Sequence, residues 1–261
     1  MAEKIRKSPQ KEVRKGIQKT KELNFYLIKF IFRLVIFTGV LYLYIKDRER
    51  MESFMVRPVW QGFTLVHFIW FIFMGIMISH LIPNNRLSMA WKKARQIQYQ
   101  PVEGFQEIEL LRYVQKQNMA AWKVMLLWLC FNAIWGGLYL AGILTSGDLL
   151  MLTVFYFLCD YICILFFCPF QTIFMKNKCC INCRIYDWGH FMMFTPMLFI
   201  RNFYSWSLFF TSLIVLIHWE ITYAAHPERF WEGSHQTLKC KNCKEKTCQI
   251  KKRVTAGRRK G

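Results

Sequence analysis

Long apolar blocks alternate along this chain with short polar, mostly basic segments. A block of about 20 apolar residues is long enough to cross a hydrocarbon core of about 30 Å as an α-helix. The first block runs from Leu23 to Ile45. The second runs from Val59 to Ile82 and is closed by Pro83-Asn84-Asn85. A polar segment reaches Asn118, followed by a third block over Met119–Leu144 and a fourth over Leu149–Phe170. Between these two, Ser146-Gly147-Asp148 reads as a tight turn with Asp148 as the N-cap of the next helix. The last apolar stretch, Tyr186 to Ala225, is interrupted by Pro196 and by Arg201-Asn202. It reads either as one span preceded by a surface segment or as a hairpin of two. In the polar segment 83–118, Phe105, Ile108, Leu111 and Val114 recur at three-residue steps, which predicts a short helix at the membrane interface.

The pattern predicts an all-α, polytopic helix bundle. Three regions follow from it: a basic N-terminal segment 1–22, a transmembrane bundle 23–225 with loops at 83–118 and 171–185, and a basic, cysteine-rich tail 226–261. The polar segments, about 35 residues at most, are too short to build an independent core without a metal. The first block is expected to remain as a membrane helix rather than be cleaved. It follows a basic stretch, but it contains Lys29 and Arg33 and ends without a small-x-small cleavage site.

Charge decides the number of crossings. The formal net charge is +20, and the basic residues lie between the apolar blocks. A Lys/Arg excess marks the cytoplasmic loops of a membrane protein, so the charge needs no nucleic-acid partner. With the N-terminus in the cytoplasm and six spans, 28 Lys and Arg fall in cytoplasmic segments and five in external ones. With five spans the tail moves outside and the asymmetry nearly disappears. Six spans with both termini cytoplasmic are therefore expected, in a plasma (inner) membrane. The fifth span, over 186–200, has about 15 residues and a rise of about 22 Å, which predicts a short or re-entrant element.

Six of the ten cysteines form two clusters flanking the last apolar stretch. Cys179, Cys180 and Cys183 precede it, and Cys240, Cys243 and Cys248 follow it. Each cluster holds a C-x-x-C pair, Cys180 with Cys183 and Cys240 with Cys243, the spacing that supplies four thiolates to one tetrahedral metal. The intervening 56 residues are long for a zinc ribbon. A membrane hairpin inserted between the pairs accounts for that length, because it returns the chain to the face it left. On the reducing cytoplasmic face a metal site is favoured over a disulfide. Basic neighbours at Arg184, Lys244 and Lys246 favour the thiolate form. Zinc is the expected ion. An iron–sulfur cluster is the alternative, although neither common ferredoxin spacing is present. Cys179 and Cys248 are spare thiols, and His190, His226 or His235 can replace one. Four thiolates leave no open coordination position, so the role expected of the metal is structural. The competing reading is a tail of unliganded thiols.

Polar groups inside the apolar blocks are the second candidate. Asp160 lies near the middle of the fourth block, where a carboxylate normally faces a partner or a cavity. Cys159 and Cys163 share a helix face beside it, and Cys168-Pro169 closes the same block. Arg33 is placed to pair with Asp160, with His67 and His218 completing a buried cluster for a proton, an ion or a quinone. Lys29, His80 and Glu220 sit near block ends and can snorkel to the interface. For the cysteines, packing between helices is the plainer reading. No G-x-G-x-x-G, G-K-[ST], G-x-S-x-G or H-E-x-x-H motif occurs, which argues against common nucleotide-dependent and hydrolytic chemistry. The leading function class is a non-enzymatic membrane scaffold or accessory subunit bound to a membrane protein partner. A redox protein with an iron–sulfur centre, and a metal or ion transporter using Asp160 and Cys168, are the alternatives.

Overall fold

The computed structural model of the chain describes residues 20–47, 58–60, 63–82, 99–177, 179, 182–243 and 248–251. Among them the fold is helical apart from one pair of short antiparallel strands, β1 (Pro58–Trp60) and β2 (Phe63–Thr64). The α-helices are α1 (Lys21–Lys46), α2 (Leu65–Leu81), α3 (Glu107–Leu140), α4 (Ser146–Leu165), α5 (Gly189–Phe194) and α6 (Phe203–Ala225). Four of them, α1, α3, α4 and α6, are long and apolar enough to cross a membrane. α2 is apolar but has 17 residues, about 25 Å of rise.

Local chemistry sets the helix ends. The Thr20 side chain accepts the Leu23 N–H at 3.2 Å and starts α1. α2 begins at Leu65, later than the apolar pattern predicts, because Thr64 is its extended N-cap and donates its N–H to Nδ1 of His67 at 3.0 Å. α4 is capped by Thr145 rather than by Asp148. Asp148 sits at the third helical position, and its carboxylate accepts the Thr145 N–H at 2.7 Å. The turn before it lies at 141–145, where Gly142 takes φ 76°. The expected interfacial helix near Ile108 is instead the start of α3. No proline or capping break divides 107 from 140, so one helix of 34 residues runs for about 51 Å. Residues 83–98 of the polar segment lie outside the described residues.

Helix directions follow from pairs along each contact. α1 and α4 are antiparallel: Tyr26 stacks on Tyr161, Phe37 lies against Phe155 and Tyr44 bonds Asp148. α2 and α6 run in the same direction, joined by His67 with Tyr204 and by Trp70 with Ser207 at 2.7 Å. α3 runs alongside 184–199, meeting it at Arg184 from Asn118, at Thr195 from Trp128 and at Phe199 from Gly136. The start of α1, the ends of α2, α4 and α6, and residues 170–188 therefore share one end of the bundle, the loop face. The 141–145 turn and 200–202 lie at the far face.

Between the faces, the stretch expected to be ambiguous divides into a 3-10 turn (Arg184–Trp188), α5, a second 3-10 turn (Thr195–Phe199) and α6. Pro196 ends α5, and Asn202 caps α6 by accepting the Tyr204 N–H at 3.1 Å. Phe191, Met193, Phe194 and Met197 bury this short segment in the main core with Val124, Trp128, Val215 and Trp219. A separate cluster of Leu23, Tyr26, Tyr161 and Leu165 joins α1 to α4.

Candidate functional site

The cysteine loop begins where α4 ends. Cys168 and Pro169 lead into a π-turn (Phe170–Met175), and Lys176 then reverses the chain in the left-handed region at φ 50°. Amide side chains hold the loop in place. Gln171 Nε2 donates to the Asn177 carbonyl at 2.9 Å, and Asn177 Nδ2 donates to the Asn182 carbonyl at 3.4 Å. Neither an alternating nor a helical hydrophobic pattern registers such amides.

The tail returns to this loop at three points. Asn182, between the cysteines of the first C-x-x-C pair, donates through Nδ2 to the Leu238 carbonyl at 3.2 Å, two residues before Cys240. Ile250 packs against the cluster of Leu23, Tyr26, Tyr161 and Leu165 that Cys179 also joins. Lys251 donates to the Cys163 carbonyl at 3.1 Å and to the Gln171 side chain. Upstream, the tail is pinned to residues 99–102: Gln236 N–H donates to the Gln100 carbonyl at 2.8 Å and Val102 N–H to the Ser234 carbonyl at 2.9 Å.

Cys183 is buried, Cys240 is exposed, and Cys179, Cys243 and Cys248 are half-buried. Cys180 lies outside the described residues. No disulfide links two of the described cysteines, and no three His, Cys, Asp or Glu side chains among the described residues stand close enough to hold a metal. The donor chemistry still suits zinc: two C-x-x-C pairs on elements brought together by Asn182 and Leu238. The histidine substitutes are engaged elsewhere. His235 is fully buried, with Nδ1 on the Arg229 carbonyl at 2.9 Å and Nε2 on the Thr237 hydroxyl at 2.7 Å. His226 faces Glu228 at 3.4 Å, and His190 turns towards His80.

The charged side chains in and beside the apolar helices form two networks around Arg184–Trp188. In the first, Arg33 donates to Asp160 Oδ2 at 2.8 Å and to the Phe157 carbonyl at 2.6 Å. Its guanidinium lies 4.0 Å from the ring centres of both Phe157 and Tyr161. Gly189 backs onto the Asp160 carboxylate, where a Cβ would stand 3.0 Å from Oδ1. His190 follows, edge-on to His80 at 5.2 Å, and His80 Nδ1 lies 3.3 Å from Asp187 Oδ2. His67 is not part of this network. It sits at the far end of α2, where Nε2 meets the Tyr204 hydroxyl at 2.6 Å. His218 is on α6, and no hydrogen bond or ion pair joins it to Arg33 or Asp160 among the described residues.

In the second network, Arg184 binds Glu220 through Nε at 3.0 Å, reaches Asn118, and lies 4.4 Å from the centre of the Tyr223 ring. Trp188 Nε1 donates to the other Glu220 oxygen at 2.8 Å, and Trp219 Nε1 donates to the Arg184 carbonyl at 2.7 Å. Glu220 and His80 therefore turn inward to partners instead of snorkelling. Lys29 does lean back along α1 towards the loop face, 4.1 Å over the Phe25 ring. In the sequence Arg184 reads as a basic neighbour of the cysteines, and Asp187 stands out in no pattern. The available signal was three ionisable residues, Arg184, Asp187 and His190, at the edge of an apolar stretch. No family model matches the chain, and no curated protein or solved structure matches it either.

Proposed function

We propose that this chain is a six-crossing integral membrane protein of the plasma (inner) membrane with cytoplasmic termini, acting as a scaffold or accessory subunit for a membrane partner. Its cysteine loop and tail are fastened by one zinc ion held by Cys180, Cys183, Cys240 and Cys243. The observation that carries this reading is the Asn182–Leu238 hydrogen bond, which ties the first cysteine pair to the chain just before the second. Zinc with four thiolates adds a cross-link between loop and tail, and metal binding of this kind contributes directly to folding.

Three observations support the membrane part. Four helices are long and apolar enough to cross. The described elements alternate in direction between the two faces, with α2 and the 189–199 segment as the short ones. The positive-inside count favours the same six crossings. The scaffold reading is favoured over transport because the deep charges are satisfied internally: Arg33 by a carboxylate, a carbonyl and two rings, Arg184 by Glu220, Asn118 and Tyr223.

The test is metal analysis of the full chain purified anaerobically. The expected result is a colourless protein with about one zinc per chain, reduced by at least half in Cys240→Ser. A brown protein with iron and acid-labile sulfide would replace this reading with the redox one. A protein with neither metal would remove the site.

A further inference from the structure

We propose that Cys168 and Cys163 form a reactive dithiol on the loop face that reduces disulfides by thiol–disulfide exchange, with Cys168 as nucleophile and Cys163 as resolving thiol. Cys163 stands in the last turn of α4 and Cys168 three residues beyond its end, with the Cys163 thiol the strongest influence on the Cys168 thiol. Cys168 follows the last turn of that helix and opens the π-turn, where its sulfur accepts the Gln171 N–H at 3.4 Å. Lys251 reaches in from the tail, with its ammonium on the Cys163 carbonyl and the Gln171 side chain. The S–H of Cys163, the backbone N–H groups of Gln171 and Phe170 and the Lys251 charge act together against burial. They hold the Cys168 thiol below the ordinary thiol range, with the Cys163 thiol the largest influence. Low-pKa thiolates beside backbone N–H donors and a cation are the reactive ones, and a neighbouring thiol completes an exchange couple.

The step balances without another reactant. The Cys168 thiolate attacks one sulfur of a substrate disulfide and forms a Cys168–S–S–R bond, and the other half leaves as a thiolate. That thiolate takes the proton of Cys163. The new Cys163 thiolate attacks Cys168, closes the Cys163–Cys168 disulfide and expels the second thiolate. The dithiol loses two electrons and the substrate disulfide gains them. The proposal uses none of the zinc ligands, so it stands whether or not the metal site does.

The test uses the full chain in detergent or nanodiscs, with alkylation by iodoacetamide followed over pH by peptide mass spectrometry. Cys168 should reach half its maximal rate well below the pH of about 8.5 expected for an ordinary thiol. Lys251→Gln should move that midpoint upward. Glutathione disulfide should convert the wild type to a Cys163–Cys168 disulfide, and Cys163→Ser should accumulate glutathione on Cys168 at least tenfold above the wild type. An ordinary Cys168 midpoint overturns the proposal, as does equal glutathionylation of wild type and Cys163→Ser. The wild-type pH profile needs no variant, so a misfolded mutant cannot mask either result.

Discussion

Asp160 shows how one residue's role depends on what its neighbours satisfy. A carboxylate in an apolar helix suggests transport or proton chemistry until Arg33 is seen to engage it at 2.8 Å. Removing one partner of a fully buried pair costs roughly 3–5 kcal/mol. Here the side chains keep 16% and 30% of their exposure, so a smaller loss is expected, about 2 kcal/mol for Asp160→Asn. The double variant Arg33→Met with Asp160→Leu should recover most of what either single change loses, which thermal unfolding of the wild type, Arg33→Met, Asp160→Leu and the double variant will measure. A stable Asp160→Asn protein would mean that the pair is not holding α1 to α4. The pairing of Arg33 with Asp160 was legible in the sequence, because both residues stand out in apolar blocks. The partners of His67 and His218 were not, because helix direction and rotation decide them, and neither is written in composition.

Among the elements, those with unbroken apolar runs were the legible ones. α1, α4 and α6 lie within a few residues of the positions read from hydropathy, with caps at Thr20, Thr145 and Asn202. The stretch 184–199 was not legible as one element, because Pro196 and two 3-10 turns break its periodicity. Its position is set by tertiary packing. Gly136 of α3 lets the Phe199 ring approach so closely that a Cβ would stand 2.2 Å from it, whereas a Cβ on Gly137 would meet nothing within 4 Å. Gly136→Ala should therefore destabilise the protein by about 1–3 kcal/mol. Gly137→Ala should leave it unchanged or slightly more stable, since alanine favours a helix by about 0.8–1 kcal/mol over glycine. Equal melting temperatures for the two variants would contradict this packing. On the outer faces, Phe25, Ile28, Phe32 and Val35 of α1 and Trp122, Leu126 and Ile134 of α3 remain exposed, an apolar surface of the kind that a bilayer covers.

For the whole molecule, topology and metal chemistry make one account. If the chain crosses six times, the loop at 171–188 and the tail lie on the cytoplasmic side and 141–145 lies outside. A small tag inserted at 141–145 should then be labelled by an impermeant reagent in intact cells, and a tag after Gly261 only after permeabilisation. The two cysteine pairs were legible as residues, and their separation was legible as the length of a hairpin. The contacts that bring the tail onto the loop were not, because Asn182 and Gln171 carry no spacing signature. In the site we propose, loop and tail contribute two thiolates each to one metal. X-ray absorption at the zinc edge of the anaerobically purified full chain reads that coordination shell. Four sulfur neighbours at about 2.3 Å are expected. A first shell dominated by nitrogen and oxygen, or no bound zinc, would contradict that site.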